Sequence, residues 1–256
     1  MIDSNAVYVI VARELKKFFR EKSRLVSTIA RPLIWLFLVG GGLSGIIPAR
    51  QGVSYMQFIF PGIIGMTVLF SSIFSAISII WDKEFGYMKE ILVAPVRRSS
   101  IVFGKALSGT IISTLQVVII LALYPFLDLH LSFLQITGVV FFSFLLSFCI
   151  CNIGILIASF YESFESFSVI MNFIVMPMFF LSGAMYPVSN LPSVLKWLAK
   201  LNAFTYGIDG IKNIVFSGRG YEGVSDFNLI ADIGIIACLS LVLMYLSTLV
   251  FRKRVQ

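Results

Sequence analysis

The chain has 256 residues, of which 58% are hydrophobic and 13% charged, with a mean hydropathy of +0.95 and a formal net charge of +7. The charged share is about half that of an ordinary soluble domain, so a water-soluble fold, which cannot hide this much apolar surface, is excluded. The apolar residues run in continuous blocks and not in the short alternating strands of a membrane barrel, which leaves an all-α integral membrane protein, because helices satisfy every backbone polar group in lipid.

The head, residues 1–27, is predicted as an amphipathic interfacial helix. At 100° per residue Val7, Ile10, Val11, Leu15, Phe18, Phe19, Leu25 and Val26 share one side, while Arg13, Lys16, Lys17, Arg20 and Arg24 share the other. Glu14 and Lys22 intrude at the edges of the apolar face, and Val9 falls outside it. A basic helix of this kind lies in the headgroup plane, as a plain anchor or as a mechanical part. The head is too charged for a cleavable signal peptide, and the apolar block after it is long enough to stay in the membrane.

Six apolar blocks follow, near residues 28–47, 58–80, 101–125, 133–160, 167–186 and 229–251, each long enough for a spanning helix. Gly40, Gly41, Gly42 and Gly45 in the first block, and Gly62 with Gly65 in the second, allow close helix approach, at a subunit interface or inside the bundle. Cys149, Cys151 and Cys238 all fall in apolar runs, and the single His130 is distant. Packing thiols fit that placement better than a disulfide or metal pair.

Lysine and arginine near span ends prefer the cytoplasm. The head carries Arg13, Lys16, Lys17, Arg20, Lys22, Arg24 and Arg31; the loop after the second block carries Lys83, Lys89, Arg97, Arg98 and Lys105; the tail carries Arg252, Lys253 and Arg254. Against these fifteen the other side has five, Arg50, Lys196, Lys200, Lys212 and Arg219. Both termini are therefore predicted inside. This topology accounts for the positive charge without nucleic acid as a partner.

Within the loop at 81–98, Trp81, Phe85, Met88 and Leu92 recur at i, i+4, i+7 and i+11, the spacing of one face over about three turns. Asp82, Lys83, Lys89 and Glu90 take the other side, and Pro95 stops the helix while pushing Ala94 out of helical geometry. A short helix with an apolar and a charged face can lie on lipid or dock in another protein's groove. Glu162 and Glu165 are the charges of the turn after the fourth block, a second contact for such a partner or simply solvated.

Residues 187–228 mix polar and apolar positions. Val194, Trp197, Leu198 and Leu201 recur at helical spacing, with Lys196 and Lys200 on another side, and Asn202, Gly207 and Gly210 interrupt the pattern. A pair of short helices dipping into the outer leaflet fits this better than a seventh span; an ordered external loop is the alternative. Ionisable residues inside the blocks are few, Asp232 being the clearest, which argues against a proton- or ion-coupled carrier. Spans rich in Phe, Leu, Ile and Met offer an apolar route suited to a lipid-like or amphipathic cargo.

Two stretches carry a family resemblance. "DKEFGYMKEILVAPVRRSSIVFGKAL", 82–107, resembles the loop after the second span of ABC-2 type transporter permeases, including the drug- and polysaccharide-export branches. "FFLSGAMYPVSNLPSVLKWLAKLNAFTYGIDGIK", 179–212, is similar to the end of their fifth span and the external segment after it, although Ala203 stands where the family commonly has proline. The resemblance implies a permease subunit that works as a homodimer and binds two copies of a separate ABC ATPase. In that scheme Trp81, Glu84, Phe85, Met88, Lys89 and Leu92 form the ATPase-coupling helix, Glu162 and Glu165 a second contact, and Trp197, Leu198 and Leu201 an external gate. No G-x-x-x-x-G-K-[ST] phosphate loop occurs, so ATP and magnesium would be used by the partner, with no cofactor in this chain. The expectation is an exporter's transport subunit in the cytoplasmic or inner membrane and not an enzyme. A stand-alone channel or secondary carrier is the competing reading, and a non-transporting membrane scaffold a third.

Overall fold

A computed structural model describes residues 3–45, 53–217 and 225–254. Parts of three expectations lie outside these residues: the end of the first block, Arg50, and the segment with Arg219.

The described residues are helical, without a β-strand. In chain order the helices are α1 (Ser4–Arg20), α2 (Lys22–Trp35), α3 (Gly41–Ser44), α4 (Tyr55–Glu84), α5 (Tyr87–Val93), α6 (Arg98–Leu121), α7 (Phe133–Ala158), α8 (Phe164–Phe180), α9 (Ser193–Leu201), α10 (Ala203–Val215) and α11 (Leu229–Arg254). A π-helical stretch, Leu36–Gly40, joins α2 to α3 four residues after Pro32. Four helices, α4, α6, α7 and α11, are long and apolar enough to cross a membrane; Ile29–Ser44 and α8 are shorter apolar helices. The 17 residues of α8 rise about 25 Å, short of the roughly 30 Å of a bilayer core.

The helix ends follow local chemistry. Ser54 and Gln57 form a capping box at the start of α4, and Ser132 and Gln135 repeat it at α7, each satisfying amides that lack an intrahelical acceptor. Span five was expected to reach residue 186 but α8 ends at Phe180. There Ser182 Oγ donates to the Phe179 carbonyl, and Gly183 takes a left-handed φ of 79°, which breaks the helix at a residue with no Cβ penalty.

The core sits around α4, which packs against α6, α7, α8 and α10 and is buried along most of its length. On α11 the side chains of Ile230, Leu241 and Tyr245 are exposed, as are Phe133 and Phe141 on α7, apolar surface of the kind that faces lipid. The head does not continue to residue 27. It breaks at Glu21, and α1 lies along α6, so its buried stripe is Val7, Glu14 and Phe18, with Ile10 against Gly104, and Tyr8, Val9 and Phe19 point away.

Gly207 and Gly210 do not interrupt α10 as expected; only Asn202 does, ending α9 and capping α10 by accepting from the Phe204 amide. The two glycines are packing positions: a Cβ on Gly207 would strike Leu146, and one on Gly210 would strike the buried ring of Phe142. Gly62 and Gly65 likewise pack internally, against the Ala184 backbone and against Ile208. Gly210→Ala is therefore expected to lower stability by about 1–3 kcal/mol, although alanine has the better helix propensity by about 1 kcal/mol. Gly42→Ala, which meets nothing within 4 Å, should raise it by about 0.5–1 kcal/mol. Thermal unfolding of the two variants in detergent checks the opposite signs.

Candidate functional site

At the end of the bundle where α1, α5 and the last turn of α11 gather, α4 runs on through Trp81 to Glu84. Trp81–Leu92 is not one helix. Gly86 adopts φ 81° and separates α4 from α5, the left-handed exit that glycine tolerates. Ala94, before Pro95, is extended with ψ 143°, as the proline requires.

The break redistributes the expected stripe. Trp81 turns toward α8 and α1, stacking on Phe164 at 6.4 Å between centroids with the Lys17 ammonium 4.5 Å from its ring. Met88 is 4% exposed and packs into the core, Leu92 is half-buried, and Phe85 is 70% exposed. Tyr87 and Val93 are also exposed. The outward apolar surface of this loop is thus Phe85, Tyr87 and Val93, beside Lys89 and Glu90, while Met88 and Leu92 hold α5 to the body. Glu84, Met88, Lys89, Leu92 and Glu162 nevertheless line one groove of about 440 Å³ that Arg254 closes from α11. Glu165, exposed in the first turn of α8, is not among its lining residues.

Neither Asp82 nor Lys83 belongs to a solvated face. The Lys83 ammonium donates to the carbonyls of Ala158, Ser159 and Tyr161 at 3.0–3.2 Å, capping the C-terminus of α7, where a cation is favoured by the unpaired carbonyls. Asp82, 4% exposed, joins a buried ion cluster. Arg13 reaches both its carboxylate oxygens at 2.7 Å and Glu14 at 3.1 Å. Lys105, also 4% exposed, donates to Glu14 at 2.7 Å, to Ser78 at 3.1 Å and to Asp82. Two cations and two anions from three helices are therefore paired without excess charge. Burial pushes the Glu14 carboxyl up, but Lys105, with Arg13 and Lys17, outweighs it and holds the group below its ordinary value. Burial likewise opposes the Arg13 charge, yet Asp82 and Glu14 leave the guanidinium above its ordinary value. Pairing of this quality is what makes the burial of three charges, Glu14, Asp82 and Lys105, bearable, with the half-exposed Arg13 completing the balance. The cluster links α1 and α6 to the segment of α4 immediately before α5.

At the opposite end Trp197, Leu198 and Leu201 are exposed on α9, and Ala199 is its buried residue. The adjoining α10 is tied down by polar contacts. Lys212, 1% exposed, donates to the Gly183 carbonyl at 2.6 Å with its ammonium 4.2 Å from the Phe58 ring. Asp209 accepts from the amides of Asp226 and Phe227, and Asn213 bridges Asp209 to Asp232. Asn202 Nδ2 donates to the Met178 carbonyl at 2.7 Å.

Cys149 and Cys151 are buried, Cys238 is exposed, and all are free thiols; among the described residues no group of His, Cys, Asp and Glu is arranged to hold a metal. A family profile for the ABC-2 type transporter matches residues 5–216. The chain belongs to this family. Similar proteins include the putative transport permease ycf38 of Cyanophora paradoxa, 33% identical over 80% of this chain and 72% of that protein. The inner membrane transport permease YadH of Escherichia coli K12 is 30% identical over 90% of this chain and 88% of its own length. Nodulation protein J of Rhizobium meliloti strain 1021 is 26% identical, with 91% and 87% covered. The ABC-2 chain is a multi-pass membrane transport permease and not an enzyme, and permeases of this family typically pair with an ABC ATPase. Of the permease's buried ion cluster, sequence reading missed the pairing altogether. The available signals were Glu14 at the edge of the apolar face of α1 and Lys105 two turns inside α6, the one charge of that helix beyond its first residue, Arg98.

Proposed function

We propose that the chain is the transmembrane subunit of an ATP-driven exporter, acting as a homodimer with two copies of an ABC ATPase docked where α5 projects. The observation that carries this reading is the arrangement around Gly86: an exposed apolar patch on a short helix whose root in α4 is locked to α1 and α6 by buried charges. A partner gripping Phe85, Tyr87 and Val93 would move α4 and α6 together and not merely bend a loop. Glu162 offers a second contact from the same groove, with Glu165 beyond it.

In this reading that end is cytoplasmic, in keeping with its basic residues, and the beginning of α1 and the end of α11 lie on it together. Asp3 N–H donates to Ser100 Oγ, and Arg98 to the Arg252 carbonyl, so both termini share the side of α5. The four long apolar helices and the two shorter ones make six spans, and α9 with α10 forms a re-entrant hairpin whose Trp197, Leu198 and Leu201 cap the outer end of the route. The membrane would be a cytoplasmic or inner membrane and the cargo amphipathic, a lipid-like molecule or a lipid-linked glycan. ATP and magnesium would act in the partner.

Reconstitution decides between this and a self-sufficient channel or carrier. In liposomes that contain the chain and its cognate ATPase, cargo movement should require ATP and vanish when the ATPase is omitted. Equal transport by the permease alone sinks the reading.

A further inference from the structure

A second groove, of about 470 Å³, opens between α2, α4 and α8 on the other side of Trp81, within the size range of about 300–1,000 Å³ typical of small-molecule sites. Its wall is apolar, with Met66, Phe70, Phe74 and Ile77 in succession along α4 above Trp81. Into it projects Arg31, exposed, with its guanidinium carbon 4.7 Å from the Phe70 centroid and 5.7 Å from that of Phe74. No hydrogen bond or ion pair from Arg31 to another described residue accompanies this stacking.

Depth makes the arrangement informative. Phe74 and Phe70 lie 7 and 11 residues from Trp81 on the same helix, about 10 and 16 Å at 1.5 Å per residue. If Trp81 marks the membrane interface, Arg31 is held well inside it, where a cation is costly and signals a pathway or a ligand. Stacking over ring faces supports the charge but uses none of the guanidinium N–H groups, whose fork matches the paired oxygens of phosphate or carboxylate. Lys17 over Trp81 places a second cation at the groove mouth. Glu21 also lines the groove, so among the described lining residues Arg31 is accompanied by one carboxylate, with Lys17 outside the lining at the Trp81 ring.

We infer that this groove takes an amphiphile with an anionic headgroup from the inner leaflet. Arg31 holds the head, Lys17 meets it on entry, and the chain lies along Met66, Phe70 and Phe74. The inference rests on the reading that the α1 and α5 end is cytoplasmic, and it names the charge class of the cargo that reading leaves open.

Trp81 is a built-in reporter. In protein carrying Trp35→Phe and Trp197→Phe, placed in phosphatidylcholine bilayers, fluorescence is quenched by a minor fraction of lipid brominated in its chains. Brominated phosphatidic acid should be favoured over brominated phosphatidylcholine by about tenfold, the worth of one charge-assisted hydrogen bond. Arg31→Gln should bring the ratio to unity and Arg31→Lys should retain a preference. A companion protein that keeps Trp197 as its single tryptophan should show no preference. Equal quenching by the two lipids, or a preference unchanged in Arg31→Gln, overturns the inference. ATPase binding, measured on the same samples, keeps the two proposals apart. Partner retention without anion preference removes this groove assignment alone, and anion preference without a partner supports the groove while removing the coupling reading.

Discussion

Lys105→Met is expected to be among the most damaging single changes in the chain. The lysine is 4% exposed and its ammonium serves Glu14, Ser78 and Asp82 at once, so its loss leaves two buried carboxylates facing one half-exposed arginine. Breaking a buried charge arrangement from one side costs about 3–5 kcal/mol. For a chain of this length, that is a fall of roughly 6–20 °C in the unfolding midpoint. The companion Glu14→Gln removes the matching negative charge. The double variant retains the Arg13–Asp82 pair, whose two contacts are both 2.7 Å, and should recover most of the lost stability. It should not recover transport, because α6 would no longer be joined by charge to α1 or to the root of α5. Unfolding midpoints and ATP-driven flux of the wild type, the two single variants and the double variant form a complete cycle. A single Lys105→Met variant as stable as the wild type would show that the cluster does not bear on folding, and full flux in the double variant would remove it from the coupling path.

What the sequence made legible follows from the range of each interaction. Apolar runs are local, so the long helices α4, α6, α7 and α11 could be read directly, and Pro95 announced the end of α5 because it acts on its own neighbour. The residues that shape the candidate site are bound at a distance. Arg13 meets Asp82 across 69 positions and Lys105 meets Glu14 across 91, and nothing in either neighbourhood distinguishes a paired charge from a solvated one. Lys83 misled for the same reason, because its acceptors are 75–78 residues away. The break at Gly86 had a local signal, a glycine in a charged segment, but the regular recurrence of Trp81, Phe85, Met88 and Leu92 outweighed it. The stripe belongs to two helices: its first member packs toward α8, its third is buried, and its second faces outward. At Gly207 and Gly210 the error ran the other way. Glycines inside α10 signify a close approach to α7 and not a turn, and only the neighbouring helix reveals it.

That division of the stripe gives the second large effect. Phe85→Glu combined with Val93→Glu is expected to abolish retention of the ATPase subunit while leaving the permease folded. Both side chains are exposed, at 70% and 86%, so a carboxylate there remains in water, and surface substitutions of this type cost within about 0.5 kcal/mol. In a docked complex the same carboxylates would be desolvated against the partner. Loss of buried anchors of this kind costs about 2 kcal/mol or more each, enough together to weaken association roughly a thousandfold. Met88→Glu makes the contrast. At 4% exposure the new carboxylate would be buried without a partner, so the expected result is a loss of several kcal/mol of stability. Co-purification of the ATPase and the unfolding midpoint, measured on both variants, separate a docking residue from a residue that fixes the docking element. If the double glutamate variant keeps its ATPase, the outward face of α5 is not the contact, and the ion cluster beneath it transmits nothing from there.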